Sequence, residues 1–490
     1  MTALRAAGAW TSPVLLAWLA ALVFQGDASA PVIVLVALLA PLVALLRTPA
    51  SVPINPAHGA IAAVGVGIVL WADFALIGDL AQIAGIHRWY ALAVALIVVL
   101  LPLLSRELDA LWPATIPVGL GACAVALVAI AGLTGATPWG AWNAVASRPI
   151  FTFDDRSAAV TDGRPVAKDT TLVFTEPHRV TAVAPGTYRV LERDGARLVA
   201  RDWRLAIGDV LMLRPGDGLV VARGLRVRFE AGKRVPGVAP SGPVWADGTS
   251  MRRIPLALAV TGAAITMVGG ASVLVGGAVP ATMVGALAAP AALVLFVFAP
   301  VAFGVYTMYA APELSVGAVL LTPLAHLPSA IGARHAAALG TLVGMGLVAL
   351  FVGTAASLGR RFEMLSGLDG DRARAAWAVI CGIAAAAAVF STADASRLLL
   401  IGLGVLATVW LAPALAIPAG RTTVIGTTAM LAGSAVGLVS FASFALAGGW
   451  FPGDSAMLGQ YPALGAAPLG WIAARLVARW QPAVDAVAVR

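Results

Sequence analysis

Residues Arg179–Trp203 read RVTAVAPGTYRVLERDGARLVARDW. Three short runs rich in Val, Thr and aromatics are separated by Pro185-Gly186 and Asp194-Gly195. Side chains that alternate at a period of two describe half-buried strands, and an Asp-Gly pair between such runs is a hairpin signal. The pattern continues on both sides. TLVFT (Thr171–Thr175) precedes it, and VLMLR lies between the turns Gly208-Asp209 and Pro215-Gly216-Asp217-Gly218. LVVAR and LRVRFEAG follow, and in the latter Arg226, Arg228 and Glu230 fall on one face with Val227 and Phe229 on the other. About seven or eight such strands predict a small all-β domain, a barrel or a sandwich. The Gly- and Pro-rich stretch from Lys233 to Gly248 reads as a linker.

This β stretch is an island. Between Arg148 and Arg253 lie 18 of the chain's 32 Lys and Arg residues and 12 of its 24 Asp and Glu residues. The whole chain is 60% hydrophobic and 11% charged, far less charged than a soluble domain, so the remainder is expected to lie in a bilayer. The organisation expected is an N-terminal membrane bundle over residues 1–147, a soluble β domain over 148–253 and a C-terminal bundle over 254–490. The fold class is a polytopic α-helical membrane protein with about twelve spans and one inserted β domain. The basic residues are Arg apart from Lys168 and Lys233, and Ala and Gly are abundant, which suggests a GC-rich bacterial source.

Pro13–Phe24 followed by Asp27-Ala28-Ser29-Ala30 reads either as a secretory leader or as a short, retained first span. Residues 314–330, LSVGAVLLTPLAHLPSA, are short for a span and broken by Pro323 and Pro328. Taken as re-entrant, this segment lets the positive-inside rule hold on both sides of the island. Arg5, Arg47, Arg106, Arg360, Arg361, Arg372, Arg374, Arg421, Arg479 and Arg490 then mark the inner face. Asp27, Asp79, Glu313, Asp394 and Asp454 mark the outer face, which holds fewer Arg, although Arg252 and Arg253 flank a span there. Both termini are thereby expected inside a bacterial cytoplasmic membrane, with the β domain on the outer, periplasmic side.

The net charge of +8 is accounted for by topology, so nucleic acid is not an expected partner. Cys123 and Cys381, far apart in apolar helices, read as core residues. Gly208–Gly224, GDVLMLRPGDGLVVARG, has a superficial likeness to the actuator loop of P-type ion pumps, but the phosphorylatable DKTG setting and a nucleotide domain are missing. His178 with Glu176 and Glu230 is too small a set for a cupin-like metal centre. Trp139-Gly140-Ala141-Trp142 without paired His does not make a haem-handling motif, and no Walker A, Ser-His-Asp, HExxH or CxxC arrangement occurs. No cofactor is expected.

Ionisable residues within apolar segments are the default pointers to function. Asp73, in LWADFAL, reads either as an interfacial group touching water or as a polar intramembrane site. His326 and His335 flank the bend after the broken segment. Small-residue spacings at Gly340/Gly344, Gly433/Gly437, Gly269-Gly270 and Gly276-Gly277 predict close helix packing, within the bundle or against other subunits. Two functions remain open. One is a non-catalytic subunit of a membrane complex, docking a partner through the β domain with Arg226, Arg228 and Glu230 as a candidate surface. The other is a secondary transporter or channel with a site near Asp73, His326 and His335.

Overall fold

A computed structural model describes residues 8–46, 56–104, 112–153, 170–194, 197–222, 225–248, 253–275, 283–317, 324, 327, 333–391, 394–417, 423–447 and 456–480. The molecule is mostly helical, with one small antiparallel β region. Before the β region come α1 (Pro13–Gln25), α2 (Ala30–Leu46), α3 (Pro56–Ile83), α4 (Arg88–Leu104), α5 (Thr115–Thr134) and α6 (Pro138–Ala146). After it come α7 (Gly242–Asp247), α8 (Arg253–Leu274), α9 (Met283–Ala310), α10 (Ala333–Ser366), α11 (Gly370–Phe390) and α12 (Ala395–Val405). A π-helical turn, Leu406–Leu411, leads from α12 into α13 (Ala412–Ala416), and α14 (Thr423–Ala447), α15 (Ala456–Gln460) and α16 (Ala463–Trp480) complete the order.

Seven of the described helical stretches are long and apolar enough to cross a membrane. Their outer surfaces expose Val128, Ile383, Val439 and Leu446. Apolar side chains facing outward around a satisfied helical backbone suit hydrocarbon and not water. The bundle therefore suits membrane insertion.

At its centre lies α1. All of Pro13–Phe24 is buried, and the helix packs against α2, α3, α9, α10 and α12. Thirteen residues extend only about 20 Å, against about 30 Å of hydrocarbon, so α1 is a half-helix. The neighbours approach it closely. A Cβ on Gly304 of α9 would sit 2.7 Å from the Ala20 carbonyl oxygen. Further out, Gly433 and Gly437 of α14 press on Gly470 and Thr408, and Gly269 and Gly270 of α8 press on Ala407 and Leu403. Those pairs serve packing within the chain. Gly340 and Gly344 meet nothing within 4 Å, and Gly276-Gly277 lies outside the described residues.

The β region holds seven described strands: β1 (Thr170–Val173), β2 (His178–Ala182), β3 (Gly186–Asp194), β4 (Arg197–Leu205), β5 (Val210–Leu213), β6 (Gly218–Val221) and β7 (Val227–Phe229). They form a four-stranded sheet ordered β1-β6-β3-β4 and a three-stranded sheet ordered β5-β2-β7. The β3–β4 hairpin runs in register from Gly186↔Leu205 to Asp194↔Arg197. Leu172, Val190, Leu219 and Tyr188 from the first sheet share one apolar core with Val180, Leu211, Leu213, Val227 and Phe229 from the second. The Tyr188 hydroxyl ties the two together by donating to the Ala184 carbonyl at 2.7 Å and the Arg226 carbonyl at 3.0 Å.

The stretch Lys233–Gly248, read from its Gly and Pro content as a linker, is packed against the bundle. It contains α7, capped by the Ser241 hydroxyl, and its Trp245 is buried against Trp142 at a ring-centroid distance of 4.7 Å. Apolar burial outweighs the turn-forming composition there. Of residues 314–330, the first four belong to a 3-10 helix, Pro312–Gly317, and Leu324 and Leu327 are buried. The rest of that broken segment, including His326, lies outside the described residues.

Candidate functional site

The chain leaves helical geometry after Gly8 and resumes it at Pro13, and the intervening Ala9–Ser12 is wholly buried. A helix start strands its first N–H groups, which ordinarily bind an N-cap side chain. Ser12 occupies the cap position but does not cap; its hydroxyl instead donates to Asp73 Oδ1 at 2.6 Å. Asp73, from the middle of α3, thus brings a carboxylate to the positively polarised start of α1. It has 0% exposure, so it is not the water-touching interfacial group that its neighbours Trp71 and Phe74 allow in sequence. Its Oδ2 has no hydrogen-bond partner among the described residues.

Hydroxyls gather around this break. Thr11 Oγ1 donates to the Gly8 carbonyl at 3.1 Å, and Thr354 Oγ1 of α10 donates to the Thr11 carbonyl at 3.1 Å. Ser357, one turn further along α10, approaches so closely that a Cβ on Gly8 would lie 2.3 Å from its Oγ. Thr11, Ser12, Thr354 and Ser357 are all buried. None of the four stands out in the sequence, because Ser and Thr in apolar helices commonly bond their own backbone. His335 lies in the first turn of α10, with its side chain outside the described part of the structure. With His326 undescribed, neither His is placed beside Asp73.

The other end of α1 meets the β region. Trp245 Nε1 donates to the Phe24 carbonyl at 3.1 Å, occupying one of the carbonyls that a helix end leaves open. Gly26 adopts a left-handed φ of +66°, and a Cβ there would fall 2.5 Å from the Trp245 ring. Beside it, Arg148 Nη2 donates to the Tyr309 carbonyl at the end of α9, at 2.7 Å, with the guanidinium 5.4 Å from the Tyr309 ring centroid. Burial draws the Arg148 guanidinium below its ordinary pKa. The two ends of the β insert are thereby clamped onto the ends of two bundle helices.

The two sheets present different outer faces. On the four-stranded sheet Arg189 pairs with Asp202 at 2.7 Å on the outer face, while Arg201 pairs with Glu192 at 3.2 Å on the opposite face, the one that carries Tyr188 and Val190. On the three-stranded sheet the outward residues are Val210 and Met212 of β5, Arg179 and Thr181 of β2, and Arg228 of β7, in register as Arg179↔Met212, Thr181↔Val210 and Thr181↔Arg228. Met212 is 72% exposed, and Ile207 in the preceding turn is 70% exposed. Arg228 and Glu230 are exposed, and Arg226 is half-buried. The sequence pattern singles out the β7 charges. It is silent on the apolar edge at β5, which becomes a surface only through the pairing order.

On the inner side, His178 is buried among Phe153, Phe174 and Phe229, with ring centroids 4.9 to 6.5 Å away. Burial holds its pKa below the ordinary value, against the weaker opposite pull of Glu176. Glu176 Oε1 lies 3.8 Å from His178 Nε2 and instead accepts the Arg234 backbone N–H at 2.6 Å. Among the described residues no cluster of three or more His, Cys, Asp or Glu side chains could hold a metal.

No protein-family model matches the chain, and no curated protein or solved structure is detectably similar to it.

Proposed function

We propose that the chain is a non-catalytic integral subunit of a larger membrane-bound assembly, whose β region docks a soluble or peripheral protein. The observation that carries this reading is the outer face of the three-stranded sheet. Exposed Ile207, Val210 and Met212 stand beside Arg179 and Arg228, a mixture suited to a partner surface of apolar and acidic side chains. The clamp at Trp245 and Arg148 supports it further, because it holds that face at a fixed position on the bundle. In this reading residues 1–147 and 254–490 form the membrane bundle with about twelve spans, α1 being retained as its core. Residues 148–253 form a small sandwich on the outer side of a bacterial cytoplasmic membrane. Lipids surround the bundle, and Gly340 and Gly344 offer a close-approach face to another subunit.

Removing the whole insert would also remove two helix caps, so point changes test docking more cleanly. Ile207→Asp with Met212→Asp should leave a folded, membrane-inserted protein. It should also lose the protein that co-purifies with the wild type in mild detergent. An unchanged set of co-purifying proteins, or none with the wild type, contradicts the reading.

A second reading, a secondary transporter or channel, is favoured by one observation. Asp73 stands at the start of a half-helix in the bundle core, an arrangement that suits an ion or solute site.

A further inference from the structure

We propose that Asp73, with the break between Gly8 and Pro13, binds a small monovalent metal cation, for which sodium is the probe. The inference goes beyond docking and does not depend on it, since a cation here can serve transport or hold the bundle together.

Four features of the site lead to it. Asp73 is wholly buried in the bundle; its Oδ1 accepts the Ser12 hydroxyl, the Val14 backbone N–H also faces the carboxylate, and Oδ2 has no hydrogen-bond partner among the described residues. A carboxylate oxygen facing an apolar interior without a partner is costly, and such groups are retained where something of opposite charge visits them. No described Lys, Arg or His forms an ion pair with Asp73. Among the described residues no cation meets this charge, and an ion from solution takes that role in the proposed site.

The donors nearby identify its class. They are oxygens: the Asp73 carboxylate, the hydroxyls of Thr11, Ser12 and Thr354, and the carbonyls of Gly8 and Thr11, which the break frees from helical bonds and which each accept one hydroxyl while keeping a second lone pair. A set of hard oxygen donors disfavours zinc, copper and iron, which prefer nitrogen and sulfur. One carboxylate matches one unit of positive charge, whereas calcium sites usually gather several carboxylates. A proton on Oδ2 would turn it into a donor with no described acceptor, whereas a metal ion can use the carboxylate and the freed carbonyls together. Irregular backbone beside a half-helix is the usual source of such ligands inside a bundle.

The test uses the full-length protein, purified in mild detergent without sodium and held at constant ionic strength with choline chloride. Its unfolding temperature is followed as sodium replaces choline. A saturable, sodium-specific rise is expected, and Asp73→Asn should abolish it. Asp73→Asn also disturbs the start of α1, so Thr354→Val serves as the second variant. It keeps the carboxylate and the Ser12 contact, and it should raise the half-saturating sodium concentration by about tenfold. No sodium-specific rise in the wild type overturns the proposal, as does an identical response in both variants. A response to pH with none to sodium also overturns it, and assigns the site to a proton.

Discussion

His178 is a histidine that the β core uses as an aromatic residue. Its ring fills the space between Phe153, Phe174 and Phe229, and burial favours the neutral form. Because its pKa in the folded protein is below the ordinary value of 6.5, the unfolded chain takes up a proton first as pH falls. The stabilisation is complete above pH 6.5 and is lost progressively below it, towards the folded-state value. Hydrogen-exchange protection of the β2 amides, corrected for intrinsic rates, should therefore drop as pH falls below the ordinary histidine value of 6.5. His178→Phe should flatten that dependence, and an equally steep loss in the variant would show that another group is responsible. Position 178 is visible in the sequence, but its surroundings are not. The three Phe residues come from the edge of the insert, the segment after β1 and β7, and only the fold brings them together.

Elements in the bundle are held by side chains that replace missing backbone bonds. Pro41 lies inside α2 and has no N–H for the carbonyl four residues earlier, which belongs to Ala37. Trp10 Nε1 donates to that carbonyl at 3.1 Å. In the π-helical turn before Pro413, the Val409 carbonyl likewise accepts a side chain, the Ser434 hydroxyl, at 2.7 Å. Trp10→Phe should cost about 1–3 kcal/mol in resistance to unfolding, the range for a buried group left unsatisfied. In a Pro41→Ala background, where residue 41 can supply the N–H, the cost should shrink towards that of packing alone. Equal costs in both backgrounds, measured as a double-mutant cycle, would contradict this account. Arginines act similarly. Arg361 Nε donates to the Val273 carbonyl at the end of α8, and Arg475 Nη1 donates to the Ala416 carbonyl at the end of α13, at 3.1 Å. Read along the sequence, Arg361 serves only as a marker of the inner face.

The strands were legible because a half-buried strand writes its orientation into alternating residues, as in Leu225–Gly232. The half-helix α1 was not. Pro13–Phe24 is buried on every side, so its composition carries no face, and its polar anchor Asp73 is 61 positions from Ser12. The docked stretch around α7 was also hidden, because Gly and Pro suggest a linker and only Trp245 hints otherwise.

At the scale of the whole molecule, an apolar bundle carries one charged β insert, clamped by Trp245 to the far end of the half-helix that begins beside Asp73. The sequence separates these two materials by charge density and by the alternation of the strands. It does not reveal that Arg189 and Asp202 pair on the outer face of the four-stranded sheet, or that exposed Ile207, Val210 and Met212 stand beside Arg179 on the three-stranded one. Cys123 and Cys381 are buried, so a thiol introduced at an exposed position reports on its own surroundings. The most direct measurement treats intact cells carrying Met212→Cys with a membrane-impermeant thiol-to-amine cross-linker. An outward-facing β region docked on a protein predicts one discrete adduct of higher mass. A thiol that the reagent does not reach, or one that reacts without forming an adduct, would contradict the account.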